Sequence, residues 1–369
     1  MKPVIIVGGG LAGLVCANLL VKNGFHVRVI ERKAYPFHRV CGEYISNETV
    51  PFLKKHGLFP KEFDPPQITR FQLTSVNGQT AFTPLDLGGF GISRYVFDHY
   101  LFQKAEQAGV EFLLNTEVTQ IKYHEEGFQV QTSGATYEAA LVLGTFGKRS
   151  RLDVSMKRNF LQHRSPYAGV KYHVRIDQPS NLIALHNFQD GYCGISQVED
   201  SKFTVCYLTH RSNLRQYGSI PEMEQAVMFR NPFIKNIFQN AEFLFAKPEV
   251  INEISFATKA PVEDHVLMAG DAAGMITPLC GNGMAMAIHS AKIVSELITQ
   301  FLIGKINRDQ LELQYTRQWN SHFANRLWVG RQIQKLFGSE WTSNLAVNLL
   351  RQSRPLADFI IRNTHGHPF

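Results

Sequence analysis

Residues 1–13, MKPVIIVGGGLAG, are the most informative part of the sequence. The β-branched run VIIV predicts a buried strand, and the apolar residues after Gly13 predict a helix. Glycines 8, 10 and 13 give the spacing G-x-G-x-x-G between strand and helix. They permit a tight turn, close approach of a pyrophosphate, and close packing of helix on strand. The N–H groups of Leu11 and Ala12, at the helix start, favour an anion. The stretch therefore predicts a Rossmann-like dinucleotide site.

The next apolar run, His26 to Ile30, ends in Glu31, at about the spacing that this fingerprint requires. A carboxylate at this position accepts hydrogen bonds from an adenosine ribose and repels a 2′-phosphate. The sequence therefore predicts FAD or NAD here and argues against NADP. A loop that is merely flexible is the alternative interpretation, and the strand, helix and acid in register argue against it.

A second glycine-rich segment, residues 270–284, follows the apolar run Val266 to Ala269. It begins Gly-Asp-Ala-Ala-Gly and leads through Pro278 into a predicted helix, Gly283 to Leu302. An aspartate at the end of a strand can hold the ribityl hydroxyls of a flavin, and a helix N-terminus can stabilise a reduced, anionic flavin. An NAD-only Rossmann enzyme does not need this segment, so the sequence favours FAD. A strand–turn–helix without a ligand is the alternative.

The composition is that of an ordinary globular protein, with 369 residues, 44% hydrophobic and 19% charged. The net charge of +7 is scattered along the chain, which suits an anionic cofactor or surface, and no motif supports a nucleic-acid partner. Five cysteines without zinc or C-x-x-C spacing favour reduced thiols and a cytoplasmic location. Without a signal peptide or a run of about 18 apolar residues, we expect no transmembrane segment. Neither the cysteines nor the histidines have metal-ligand spacing, so we expect no metal.

Strand-rich segments interrupt the dinucleotide-binding segments. Runs of period two between about residues 167 and 208 predict an antiparallel sheet, and Asn77-Gly78 predicts a hairpin over 67–83. The predicted fold is α/β: a Rossmann-like FAD-binding domain, an inserted antiparallel β-sheet substrate lobe and a C-terminal helical extension. The predicted boundaries are 1–66, 84–155 and 260–303 for the FAD-binding domain, 67–83 and 156–259 for the lobe, and 304–369 for the C-terminal helical region.

Four segments carry a family resemblance: Gly8 to Gly13 with Glu31, Arg39-Val40-Cys41-Gly42-Glu43, Ser93-Arg94-Tyr95-Val96-Phe97-Asp98, and Gly270 to Met284. Together they resemble FAD-dependent oxidoreductases of the para-hydroxybenzoate hydroxylase fold, most closely the geranylgeranyl reductase-like branch. The resemblance implies that Arg94 contacts the FAD phosphates, that Glu117-Val118 passes the adenine and that the loop from Arg39 to Glu43 approaches the flavin ring. The candidate cofactor-binding residues are Gly8, Gly10, Leu11, Ala12, Gly13, Glu31, Arg32, Arg39, Cys41, Gly42, Arg94, Val118, Gly270, Asp271, Pro278, Gly281, Gly283 and Met284.

Two departures from the wider family bear on the reaction. Hydroxylases of this fold usually carry an Asp-Gly pair in the turn that matches residues 141–150. Phe146 stands here where the acid is expected, which weakens the case for an NADPH-reduced aromatic hydroxylase. The sequence also lacks the Trp-x-Trp-x-Ile-Pro segment of flavin halogenases.

The candidate catalytic residues are Cys41 and Glu43. A cysteine in this loop can act as an acid, a redox partner or a substrate-positioning group, and a loop residue fixed by packing is the alternative. Glu43 is a candidate acid–base group or a solvated loop residue. Cys280, in the other flavin-facing loop, is a candidate redox partner for Cys41. The candidate substrate-facing residues of the sheet are Tyr172, His186, Tyr192 and Tyr207.

Two enzyme functions stay open at this point. A reductase of isolated double bonds, transferring hydride through flavin N5, is favoured by the loop at 39–43 and the missing Asp-Gly pair. A monooxygenase that activates O₂ at flavin C4a, through a hydroperoxide, is favoured by the general plan. A flavin redox sensor without turnover is the third reading. The expected substrate is a hydrophobic or aromatic small molecule, and the expected electron donor is NAD(P)H or a small redox protein.

The C-terminal stretch from Trp319 to Ile361 mixes aromatic, apolar and basic residues at helical spacings. This pattern is compatible with peripheral membrane contact or with a cap over a lipid-sized pocket. Helices packed on their own protein are the alternative.

Overall fold

The computed structural model describes residues 2–125, 127–162, 165–334, 337–352 and 366–369. Its strands are β1 (Val4–Val7), β2 (Val27–Ile30), β3 (Tyr44–Ser46), β4 (Gln67–Thr74), β5 (Thr80–Gly91), β6 (Glu111–Leu113), β7 (Val118–His124), β8 (Gly127–Thr132), β9 (Thr136–Ala139), β10 (Leu141–Gly144), β11 (Tyr167–Arg175), β12 (Leu182–Phe188), β13 (Gly191–Gln197), β14 (Phe203–His210), β15 (Glu242–Phe243), β16 (Glu249–Asn252), β17 (Val262–Glu263) and β18 (Val266–Met268). Its α-helices are α1 (Leu11–Lys22), α2 (Val50–His56), α3 (Arg94–Gln107), α4 (Arg151–Ser155), α5 (Arg211–Tyr217), α6 (Ile220–Val227), α7 (Pro232–Asn240), α8 (Gly283–Leu302), α9 (Arg308–Trp319), α10 (Asn325–Gln334) and α11 (Glu340–Gln352).

The N-terminal motif lies in a six-stranded sheet with the order β17-β18-β10-β1-β2-β6. Its strands pair in parallel except β17, which runs antiparallel to β18. All four residues of β1 are buried, as expected for a central parallel strand covered on both faces. The strand order reverses direction beside β1, so the carboxyl ends of β1 and β10 flank a crevice of the kind that binds ligands in doubly wound sheets.

A nine-stranded sheet forms the inserted lobe. Its path is β15-β11-β14-β13-β12-β4-β5-β3, and β16 also pairs with β11. Antiparallel pairing dominates, but β12 and β4 run in parallel, with Leu182 opposite Arg70. One face of this sheet packs against α6 and α7 through a core that includes Met223 and Ile234. The opposite face is therefore turned towards the other lobe and the C-terminal helices.

The predicted hairpin around Asn77-Gly78 is present, with Thr74 of β4 opposite Thr80 of β5. The second strand extends beyond the predicted end at residue 83 to Gly91, because its last residues also pair with β3. A separate three-stranded sheet, β7-β8-β9, lies between β6 and β10 in the chain. The division of the chain at particular domain boundaries stays a prediction.

The C-terminal region continues in helices. Helix α8 packs on α1 and begins and ends at the predicted residues, while α9, a short π-helix over Asn320–Ala324 and α10 follow it. Helix α11 lies against β4 and β5 of the lobe sheet. Residues 353–365, including the end of the stretch from Trp319 to Ile361, lie outside the described residues. The predicted α/β class, with its sheet lobe and C-terminal helices, is confirmed.

Among the residues that the structure describes, no helix is both long enough and apolar enough to cross a bilayer.

Candidate active site

The glycine turn after β1 builds a cradle for an anion. Gly8 has φ +104°, and a Cβ there would lie 2.6 Å from the Thr145 carbonyl oxygen. A Cβ on Gly13 would lie 2.3 Å from the Gly8 carbonyl oxygen, so these positions require glycine. Gly10 precedes α1, and within the described chain no side chain caps this helix end. The backbone N–H groups at this helix end, which include those of Gly10, Leu11 and Ala12, are therefore available to a phosphate.

Arg94 supplies a cation to this cradle. Its guanidinium stands 3.8 Å from the position that a Cβ of Gly10 would take. Asp98, one turn further along α3, accepts two hydrogen bonds of 2.7 Å from the Arg94 guanidinium and fixes its orientation. The Arg39 Nε donates to the Asp98 Oδ2, which also accepts from Arg94, at 3.2 Å. A helix amino end faced by a held guanidinium fits a pyrophosphate.

Glu31 lies buried at the end of β2, as the fingerprint requires. Its Oε2 accepts a hydrogen bond from the Gly9 N–H at 2.8 Å, and its Oε1 accepts one from the Lys33 N–H at 3.1 Å. These contacts hold the carboxylate beside the glycine turn. Arg32, in contrast, has an exposed side chain, and Val118 is buried at the start of β7.

The second glycine-rich segment approaches the same region. A crevice is lined by Gly270, Asp271, Gly283 and Trp319, with other residues of the 270s and α8. Burial raises the pKa of Asp271, while the charges of Lys259, Arg94, Lys148 and Arg39 oppose this shift. Those cations are thus close enough to act on Asp271, and segments far apart in the sequence converge on one site.

Lys259 and Lys148 are site residues that sequence reasoning missed. The Lys259 Nζ donates to the carbonyl oxygens of Lys148 and Asp271, both at 2.7 Å. Burial lowers the pKa of each lysine to about 8. Lys148 follows the turn after β10, two residues beyond Phe146, which stands where an acid is expected. A basic residue so close to the missing acid is the sequence signal that could have identified Lys148 as a site residue.

Glu43 is the centre of a buried ionic network. Its side chain is fully buried and contacts the Lys171 ammonium, accepts the Arg94 backbone N–H at 2.8 Å, and lies 2.6 Å from the His173 Nε2. Burial alone would raise the pKa of Glu43, but Lys171 and His173 lower it to about 2. The alternative of a solvated loop residue is therefore wrong. A carboxylate that stays ionised in this way suits positioning of the loop better than the predicted acid–base role.

Lys171 connects this network to the flavin-facing loop by a hydrogen bond. Its Nζ also donates to the Arg39 carbonyl oxygen at 3.2 Å, and the Ser196 Oγ donates to the Gly42 carbonyl oxygen at 3.4 Å. Two side chains of the lobe sheet therefore hold the loop from Arg39 to Glu43. Lys171 and His173 alternate with Val170, Tyr172 and Val174 in the buried part of β11, which was the sequence signal for a buried carboxylate on one face.

Cys41 is half-buried in this loop, and burial raises the pKa of its thiol despite the nearby Arg94. The Glu43 N–H lies 3.5 Å from its Sγ. Cys280 is buried instead beside Thr277, with 3.3 Å between its Sγ and the threonine Oγ1. Burial raises the pKa of the Cys206 thiol most, and the nearby Cys41 raises it further.

The candidate substrate-facing residues of the sheet separate onto two faces. Tyr172 and Tyr207 both donate to Glu224, at 2.9 and 2.8 Å, on the face that packs under α6. His186 lies 3.0 Å from Thr74 Oγ1 in a buried polar cluster. Tyr192 alone of the four lies in the cluster that includes Leu208, Leu185 and Val347 of α11, and its Oη accepts the Leu279 N–H at 3.0 Å.

The remaining candidate cofactor residues follow from the turn before α8. Gly281 has φ +63°, in a turn that leads into the helix at Gly283. Pro278 begins the preceding short helical turn, Met284 is buried in the first turn of α8, and Gly42 is exposed.

Comparison with known proteins settles the family. Residues 1–325 match the family described as "FAD binding domain". The chain belongs to this family. FAD is therefore its cofactor, as predicted, and the chain is an FAD-dependent oxidoreductase. The glycine cradle, Arg94, Glu31 and Asp271 are residues of the kinds that hold the phosphates and hydroxyls of FAD.

Individual relatives are distant but extend over nearly the whole chain. Digeranylgeranylglycerophospholipid reductase 2 of Methanopyrus kandleri is 24% identical, covering 97% of this chain and 91% of its own. A geranylgeranyl bacteriochlorophyll reductase-like protein of Thermoplasma acidophilum superposes with a TM-score of 0.77 at 16% identity, over 95% of this chain and 92% of its own. A flavin-dependent halogenase, CmlS, has a TM-score of 0.79 at 20% identity, over 98% and 69%. The resemblance to the geranylgeranyl reductase-like branch is confirmed, while the fold itself is shared with other flavin chemistries.

Proposed function

We propose that this flavoprotein is a reductase that saturates isolated carbon–carbon double bonds in the prenyl chains of a lipid. The observation that carries the proposal is the apolar cluster between the lobe sheet and α11. Leu73, Leu185, Tyr192 and Leu208 contribute from the sheet, and Val347 from the helix. Met275 and Leu279, from the flavin-facing segment, pack against the same cluster. An apolar surface beside the expected flavin site suits a hydrocarbon chain.

The polar groups of the site fit this reaction. Bound FAD supplies a hydride, and saturation of a double bond then needs one proton from the protein or solvent. We assign that proton to Cys41, since its raised pKa keeps it a thiol at neutral pH. Glu43, Lys171 and Ser196 act as positioning residues, because they hold the loop that carries Cys41.

The similar proteins support the proposed reductase function. Digeranylgeranylglycerophospholipid reductases are named among the similar proteins from several organisms, with this chain covering 80–91% of their lengths. The missing acid at Phe146 and the missing halogenase tryptophan motif favour reduction over hydroxylation and halogenation.

The test follows reoxidation of the reduced flavin. The holoenzyme is photoreduced under anaerobic conditions, which makes the natural electron donor unnecessary. It is then mixed either with a geranylgeranyl lipid without O₂ or with buffer containing O₂. We expect reoxidation of the flavin by the lipid, and a Cys41→Ser variant that retains FAD but reoxidises at least tenfold more slowly. Cys16→Ser, a buried thiol elsewhere in the fold, serves as the control. Fast reoxidation by O₂ alone, with oxygen transfer to an aromatic compound, would contradict the proposal.

We further propose that the C-terminal helices contact a membrane surface, which would bring a lipid substrate to the apolar cluster. Trp341, Leu345 and Leu349 form a stripe of four-residue spacing on α11, and they are exposed by 75%, 40% and 38%. The opposite face of α11 carries Val347, which is buried against the lobe sheet. The net charge of +7 favours an anionic surface.

Sedimentation with vesicles tests this contact. We expect Trp341→Ser with Leu345→Ser to reduce binding to vesicles of anionic phospholipid severalfold. Phe82→Ser removes an aromatic side chain that is 53% exposed on β5 and serves as the control. Equal binding of the two variants would refute the proposal. The predicted cytoplasmic location stays a prediction that rests on the five free thiols.

A further inference from the structure

Cys41 and Cys206 share two features. They are the two partly exposed cysteines, whereas Cys16, Cys193 and Cys280 are buried. Both lie where the flavin-facing loop meets the lobe sheet. The proposed reduction requires only Cys41, so it gives Cys206 no role.

The pairing of the strands shows where Cys206 points. It lies directly opposite Lys171 of β11 and opposite Gly194 of β13. Residues directly opposite in antiparallel strands share a face, and Ser196 lies on that face two residues after Gly194. Lys171 and Ser196 are the two side chains that hold the loop, through the carbonyl oxygens of Arg39 and Gly42.

Cys41 lies between those two anchored carbonyl groups in the sequence, and Cys206 lies between the two anchoring side chains on the sheet. The Lys171 ammonium and the Ser196 hydroxyl, both carried by the sheet, therefore reach the loop backbone on either side of Cys41. A disulfide requires about 5.5–6 Å between the Cα atoms of the two cysteines. The absence of a side chain at Gly194 leaves ordinary van der Waals space beside Cys206. Cys41 adds to the rise in pKa that burial gives the Cys206 thiol, which agrees with this placement.

We propose that Cys41 and Cys206 are a redox-responsive dithiol, which small-molecule disulfides oxidise to an intramolecular disulfide. One cysteine, as thiolate, attacks the small disulfide and expels one of its sulfurs as a thiolate. The second cysteine then attacks the mixed disulfide and expels the other. The protein dithiol loses two electrons and two protons, and the small disulfide takes them up to become two thiols.

The disulfide would tie the flavin-facing loop to the sheet and remove the Cys41 thiol. Its inhibitory effect on turnover rests on the proposed function, because it assumes that Cys41 supplies a proton. Formation of the disulfide does not rest on it. The test therefore reads the thiols directly, so failure of the dithiol and failure of the proposed reaction are distinguishable.

The holoenzyme is incubated with glutathione disulfide, blocked with N-ethylmaleimide, and analysed by thiol titration and peptide mass spectrometry. We expect the wild type to lose two of its five thiols and to yield a peptide that links Cys41 to Cys206. Cys206→Ser should form no intramolecular disulfide and should carry glutathione on Cys41, while Cys280→Ser should behave like the wild type. Dithiothreitol should restore both thiols.

Three results would overturn the proposal. One is a linked peptide that joins Cys41 to Cys280. Another is independent glutathione addition to Cys41 and Cys206 in the wild type without a linked peptide. The last is no loss of thiols while Cys206→Ser also stays unmodified.

Discussion

Replacing Glu43 with glutamine should destabilise the protein strongly at neutral pH. The variant keeps the shape of the side chain but leaves the fully buried Lys171 ammonium without its carboxylate. The pKa of Glu43 falls from its ordinary 4.5 to about 2 in the folded chain. At 1.36 kcal/mol per unit, this shift corresponds to about 3 kcal/mol of stability at pH 7. Breaking a buried ion pair by removal of one partner typically costs about 3–5 kcal/mol, which agrees.

The sign of the pH dependence follows from the direction of that shift. Because the folded pKa is depressed, the stabilisation is fully present above pH 4.5 and is lost as the pH falls towards 2. The difference in unfolding free energy between wild type and Glu43→Gln should therefore shrink from about 3 kcal/mol at pH 7 to about 1 kcal/mol at pH 3.

Urea unfolding of the holoenzyme at the two pH values measures this difference. Glu242→Gln is the control, because Glu242 of β15 pairs at 3.4 Å with Arg175 of β11, the strand that carries Lys171, but both side chains are more than half exposed. It should produce no resolvable change. Combining Glu43→Gln with Lys171→Met should recover part of the loss, since no unpaired charge remains buried. Two results would refute this prediction. One is a loss of unfolding free energy for Glu43→Gln that is no larger than for Glu242→Gln, and the other is a loss that does not depend on pH.

Three further predictions concern the cofactor cradle. Glu31→Ala should raise the dissociation constant of FAD about 10- to 100-fold, far more than Glu43→Ala, and flavin fluorescence titration would show equal retention if the assignment is wrong. Arg94→Gln should weaken FAD by a similar factor and reduce the salt dependence of binding, whereas an unchanged salt dependence would argue against contact with the phosphates. Gly13→Ala should lower the thermal midpoint because its Cβ would lie 2.3 Å from a carbonyl oxygen; Gly134→Ala, where that space is open, should not.

The parts of the fold that were predictable are local in sequence. The strand, the glycine turn, the first helix and Glu31 all lie within the first 31 residues, and each element has its own pattern. Helix α8 runs from Gly283 to Leu302 as predicted, because a glycine turn precedes it and a long apolar stretch defines it. Patterns of this kind need no knowledge of distant residues.

The buried network was not predictable, because its members are far apart in the chain. Glu43 is 128 residues from Lys171 and 130 from His173. Only the alternation of Lys171 and His173 in β11 indicates that a buried carboxylate pairs with them. From the sequence alone, the loop around Glu43 is equally compatible with a solvated segment and with a buried one.

The thiol partner of Cys41 depended on strand register in the same way. Cys280 was the natural candidate because it lies in a flavin-facing loop, but it points towards Thr277 and Gly330. Cys206 faces the loop because β14 pairs with β11 so that Cys206 lies opposite Lys171. A shift of one residue would turn its side chain to the other face.

The most direct test of the account is the mass of the product formed from a lipid with geranylgeranyl chains by the reduced holoenzyme under ¹⁸O₂. We expect a product that has gained two hydrogen atoms for each double bond saturated and no heavy oxygen. A product that has gained one ¹⁸O atom, with its double bonds otherwise retained, would contradict the assignment of this flavoprotein as a reductase.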